Sequence, residues 1–117
     1  GPMARTAVDA AAILEAAGVA ATVVDPRWVL PTPPALVKLA GEHDLVAVVE
    51  DGLVEGGVGA LLAQRCAEAR LTTPVAALGV PLAFPAHATR AQLLEELRLR
   101  AEDVAQDVLA RLGDAGA

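Results

Sequence analysis

The run Leu45-Val46-Ala47-Val48-Val49-Glu50 constrains this chain more than any other stretch. Strand side chains alternate between two faces, so a run that is apolar at odd and even positions alike has to be covered on both sides. The run therefore reads as an interior strand with helices above and below it. The composition fits that arrangement. Hydrophobic residues make up 55% and charged residues 21% of the 117 residues, which excludes disorder and suits one domain. Aromatics are only 2%, a single Phe84 and a single Trp28, so the core has to be built from Ala, Val and Leu.

Around this run the chain alternates between helical and strand-like patterns. Thr6-Ala7-Val8-Asp9 has the spacing of a capping box, and the helix it opens carries Val8, Ala12, Leu14 and Ala16 before Gly18 stops it. Ala21-Thr22-Val23-Val24-Asp25 is a short β-rich run closed by Pro26. In Pro31-Thr32-Pro33-Pro34, Thr32 suits a cap and Pro33 the first helical position of a helix over 35–40, ended by Gly41. A helix is expected over 59–70 and a strand over 74–78, then an extended loop over 79–87. Thr89-Arg90-Ala91-Gln92 is a second capping box, opening a helix over 90–97. The tail over 101–112 places Val104, Val108, Leu109 and Leu112 on one stripe. Helices alternating with strands in this way give a three-layer α/β/α domain with a mostly parallel sheet.

Several partner classes are excluded. A net charge of −6 and a pI near 4.7 oppose nucleic acid, and one Phe with one Trp give bases no stacking platform. The most apolar stretch, residues 7–24, is broken by Asp9, Glu15 and Gly18, and no run approaches the ~18 residues of a membrane span. A single cysteine, Cys66, closes no disulfide within the chain and builds no zinc site, which points to the cytoplasm. Gly1-Pro2 before Met3 reads as the remnant of a cleaved purification tag, with residues 4–117 forming one domain.

Ligands of parallel sheets bind beyond the carboxyl ends of the strands. Two such ends are polar here: Asp25-Pro26-Arg27-Trp28, and Glu50-Asp51 followed by glycines. The turn Gly56-Gly57-Val58-Gly59 enters a helix and could present free N–H groups to a phosphate. No Lys-Ser/Thr follows it, and Glu50, Asp51 and Glu55 would repel an anion, so tight strand-to-helix packing is the plainer reading. Glu50 and Asp51 are neighbours on a strand and point to opposite faces, which suits hydrogen bonding at the sheet end better than paired acid–base work. His87 could act as a general acid or base, but without a Ser or Cys nucleophile motif it reads better as a cap or loop tether. Arg27 and Arg90 are the only basic residues near a would-be diphosphate. His43, between Glu42 and Asp44, reads as a solvated turn residue, and Cys66 as a small packed hydrophobe. No metal-ligand spacing is present. Trp28, flanked by Pro26 and Pro31, either folds onto this domain's own helices or anchors a neighbouring surface.

Val23-Val24-Asp25-Pro26-Arg27-Trp28-Val29, Glu42-His43-Asp44-Leu45-Val46, Val49-Glu50-Asp51-Gly52 and Gly56-Gly57-Val58-Gly59 together resemble the C-terminal domain of the transketolase superfamily. Gly79-Val80-Pro81, Phe84, His87, Thr89-Arg90 and Ala101-Glu102-Asp103-Val104-Ala105 narrow the resemblance to 1-deoxy-D-xylulose-5-phosphate synthases. The likeness runs from Met3 to about Leu112. It implies a transferase that joins pyruvate and glyceraldehyde 3-phosphate at the start of isoprenoid synthesis, using thiamine diphosphate and a divalent metal, usually magnesium. The cofactor-binding motifs of that family belong to its first two domains and none is present here, so no catalytic, cofactor or metal residue carries over. The third domain is mainly a dimerisation and scaffolding module. Two departures stand out: Leu30 replaces a common Lys, and the chain starts at the turn that follows the family's first strand. That strand is expected between the runs 21–25 and 45–50, which would have to pair directly or leave open edges.

Three functions follow as expectations. The first is an assembly module that forms a homo-oligomer or docks on a thiamine-dependent catalytic subunit. The alternatives are an enzyme acting alone through Glu50, Asp51 or His87, and a stand-alone phosphate or diphosphate binding or regulatory module. A fold by itself does not choose among them.

Overall fold

The structure is a computed structural model and describes residues 3–25, 33–51, 57–80, 89, 91–92 and 100–116. These residues form α1 (Ala4–Ala16), α2 (Pro34–Gly41), β1 (Val46–Asp51), α3 (Val58–Glu68), β2 (Val75–Val80) and α4 (Ala101–Gly116). The two strands are parallel and in register from Val46 opposite Val75 to Asp51 opposite Val80, with α3 as the crossover between them.

Alternation along β1 sorts the core into two halves. Val46 and Val48 face α2 and α3 and join Val75 in packing on buried Ala40, Leu62 and Cys66. Leu45 and Ala47 face the other way and pack on buried Leu14, Ala105 and Val108 of α1 and α4. The sheet is thus sandwiched between α2–α3 and α1–α4, the three-layer architecture that the both-sided apolar run requires.

Helix ends follow local chemistry, with some shifts from expectation. At the end of α1, Val19 N–H donates to the Leu14 carbonyl (2.9 Å) and Gly18 N–H to that of Glu15 (3.0 Å), with Gly18 at φ +87°. This is a Schellman turn, completed by the packing of Val19 on the cluster that holds Leu14. The start of α1 lies earlier than the Thr6 box predicts: Met3 is the N-cap, with no side-chain cap bond, and Thr6 is inside the helix. Met3 is itself buried, so burial of the entering chain replaces a polar cap. Pro34 rather than Pro33 takes the first position of α2, and Pro33 caps it in extended geometry. The second box is present as read, with Thr89 N–H donating to Gln92 Oε1 (2.9 Å) and Gln92 N–H to Thr89 Oγ1 (3.1 Å). On α4, Val104, Ala105 and Val108 are buried and Leu112 is half-buried, whereas Leu109, expected on the same stripe, is 37% exposed. Ala105 takes its place in the core because it stands one turn before Leu109 and faces Leu14.

The run over residues 21–25 is the main correction. It has strand composition but makes no ladder, and β1 pairs only with β2 among the described residues. Val19 and Ala21 still pack on the α1–α4 core, while Val23 and Val24 are 42% and 46% exposed. β-branched residues favour a pleated, half-buried surface with neighbours to pair against, and alone they do not make a strand. Correspondingly, β1 is only half-buried where its sequence asks for full cover.

Candidate functional site

At the carboxyl end of β1 the structure brings together a carboxylate and a helix N-terminus. Glu50 lies on the same face of β1 as Val46 and Val48, so its side chain points toward α3. Its Oε2 accepts the N–H of Gly59 at 2.8 Å, in the first turn of that helix. The N-terminus of a helix carries partial positive charge and N–H groups without helical partners, so a carboxylate there is favourable. Glu50 therefore sits where an external anion would sit, and it is half-buried there.

Gly59 is at this spot for steric reasons. A Cβ on Gly59 would lie 2.6 Å from the Ala77 Cβ, 3.2 Å from its Cα and 3.4 Å from the Val48 Cβ. The helix rides directly on the strands at this point, and only the absence of a side chain allows it. Gly57 is the N-cap of α3 in extended conformation, and its carbonyl accepts the N–H of Leu61 at 3.0 Å. The glycines thus have a packing and a capping task in the structure.

The other candidates divide into described and undescribed positions. Asp25 is exposed at the end of the run 21–25. Asp51 ends β1 opposite Val80. Arg27, Trp28, Gly56, His87 and Arg90 lie outside the described residues. Cys66 is buried in the α2–α3 core at 2% exposure, and burial pushes its thiol pKa up, so it stays protonated and packs as a hydrophobe.

Two side chains do more than their sequence context suggested. His43 is half-buried, not a solvated turn residue. The Leu39 carbonyl can only accept, so His43 Nδ1 donates to it at 2.8 Å, and Nε2 hydrogen-bonds the Thr22 hydroxyl at 3.2 Å. The His43 carbonyl accepts in turn from Thr73 Oγ1 at 3.3 Å. One residue thereby ties α2 to the segment after α1 and to the approach to β2. Its acidic neighbours Glu42 and Asp44 concealed this. Asp103 is 5% exposed, and its Oδ2 accepts from Arg100 N–H at 3.2 Å and Arg100 Nε at 2.9 Å, fastening the start of α4. An acid in a first helical turn was legible, but its burial was not.

A diphosphate would need free N–H donors and cations, and a divalent metal would need clustered carboxylates. The α3 first-turn N–H is already bonded to an anion of the protein's own, and among the described residues no three His, Cys, Asp or Glu side chains could hold a metal ion together. No helix among the described residues is long and apolar enough to cross a membrane.

Comparison with known proteins agrees with this architecture. Residues 1–104 match the family model described as transketolase, C-terminal domain. The chain is 53% identical over 110 residues to 1-deoxy-D-xylulose-5-phosphate synthase 1 of Kitasatospora griseola, covering 94% of this chain and 17% of that protein. It is 46% identical over 112 residues to 1-deoxy-D-xylulose-5-phosphate synthase of Clavibacter sepedonicus, and 47% identical over 112 residues to 1-deoxy-D-xylulose-5-phosphate synthase 1 of Streptomyces coelicolor. Each of these two alignments covers 96% of this chain and 17% of the relative, so the chain spans about a sixth of the length of the curated relatives it matches. With a parallel β1–α3–β2 unit between two helical layers and a family match over nearly all its length, the chain belongs to the transketolase C-terminal domain family.

Proposed function

We propose that this chain is an assembly domain of a 1-deoxy-D-xylulose-5-phosphate synthase, acting in the cytoplasm and performing no chemistry by itself. In this reading residues 4–117 are one domain that forms a homo-oligomer or seats on a thiamine-dependent catalytic subunit. The parent enzyme would join pyruvate to glyceraldehyde 3-phosphate, with its thiamine diphosphate and metal held by other domains. The observation that carries the reading is β1: an apolar run suited to full cover, yet half-buried and laddered on one side among the described residues. Such an edge, with exposed Val23 and Val24 on the neighbouring segment, favours association over isolation. The phosphate-binding alternative is disfavoured because Glu50 already occupies the α3 N-terminus.

Gel filtration coupled to light scattering tests the proposal. The chain alone is expected to run as a dimer or larger, or else to shift into a complex when mixed with a catalytic subunit of such a synthase. A mass of 11.9 kDa at high concentration, unchanged by that subunit, would overturn it.

A further inference from the structure

We draw no further inference here: the strongest candidate, the apolar edge of β1 away from β2, is unpartnered among the described residues, and nothing in the structure shows what covers it.

Discussion

Two runs of this chain have the composition of a strand, and they meet different fates. Residues 46–51 become β1, because β2 pairs with them in register and Ala40, Leu62 and Cys66 cover one face while Leu14, Ala105 and Val108 cover the other. Residues 21–25 carry two adjacent β-branched valines and remain outside any ladder. The difference lies in the neighbours rather than in propensity. The first run has a crossover helix that returns a partner strand to its side, whereas the second, among the described residues, is met by the Thr22 contact to His43 and the packing of Ala21 and not by a strand. Backbone pairing is a property of two segments, so composition announces a strand only where the topology supplies the second one.

The sharpest way to break this comparison is to truncate an apolar side chain in each region. Leu62 is 4% exposed in the α2–α3 core, and Leu62→Ala is expected to lower stability by about 3 kcal/mol through lost burial and the cavity left behind. Val24 is 46% exposed, and Val24→Ala is expected to change stability by less than about 0.5 kcal/mol. Urea unfolding of the two variants at equal concentration makes the comparison. A large loss from Val24→Ala would mean that residues 21–25 are packed in solution, and the contrast drawn above would fail.

A second variant probes how closely β1, α3 and β2 are fitted. Gly59→Ala places a methyl 2.6 Å from the Ala77 Cβ, which the backbone has to relieve, at a cost of about 2 kcal/mol. Because the closest approach is to the Ala77 Cβ, Ala77→Gly in the same molecule is expected to recover part of the loss, a coupling that a double-mutant cycle reads directly. Additive losses would show that the helix does not ride on the strand at this point.

Much of this region was legible in advance, for a physical reason: its determinants are local. The apolar run of β1, the glycines before α3 and the Ala-rich strand β2 each specify their structure within a few residues. So does the reciprocal Thr89–Gln92 box. What was not legible depends on distant partners. His43 bonds across 21 residues to Thr22 and across 30 residues to Thr73, so its own neighbours say nothing about its role. The ladder missing from residues 21–25 is of the same kind. The start of α1 escaped because Met3 is held by burial, which leaves no capping residue type to recognise. At the candidate site, Glu50 was readable as a hydrogen-bonding acid at a sheet end, while its partner nine residues on, Gly59, needed the crossover geometry.

Glu50 offers a smaller effect that separates capping from any ligand role. Glu50→Ala removes both the acceptor and the charge from the α3 N-terminus and is expected to cost about 1 kcal/mol, with Glu50→Gln, which keeps an acceptor, costing less. Thermal melts with and without inorganic phosphate distinguish the roles. The loss is expected to be the same in both conditions. If phosphate stabilises Glu50→Ala and not the unaltered protein, the carboxylate holds the place of an anion at the α3 N-terminus and is not only a cap.

The smallest effect compares how the two regions end their helices. Helix α1 leads into residues 21–25 through Gly18 at φ +87°, and α3 leads toward β2 through Arg70 at φ 62°. Both are Schellman turns: Leu71 N–H donates to the Cys66 carbonyl at 3.0 Å and Arg70 N–H to that of Ala67 at 2.9 Å, as Val19 and Gly18 do after α1. A non-glycine residue in the left-handed region costs roughly 1–2 kcal/mol, and glycine there costs roughly 0.5–1 kcal/mol in unfolded-state entropy. Arg70→Gly is therefore expected to raise stability by about 0.5 kcal/mol. Gly18→Ala, with nothing within 4 Å of the added Cβ, is expected to lower it by about 1 kcal/mol through backbone strain alone. Paired thermal melts read both signs. The Arg70 turn is braced because Leu71 packs on the cluster of Ala40, Leu62 and Cys66, so its backbone cannot relax away from the strained conformation. The Gly18 turn is followed by Val19 in the core and then by exposed valines, so it has more room to yield. A Gly18→Ala loss well below that expected, beside a full Arg70→Gly gain, would show that the chain after α1 gives way where the chain after α3 does not.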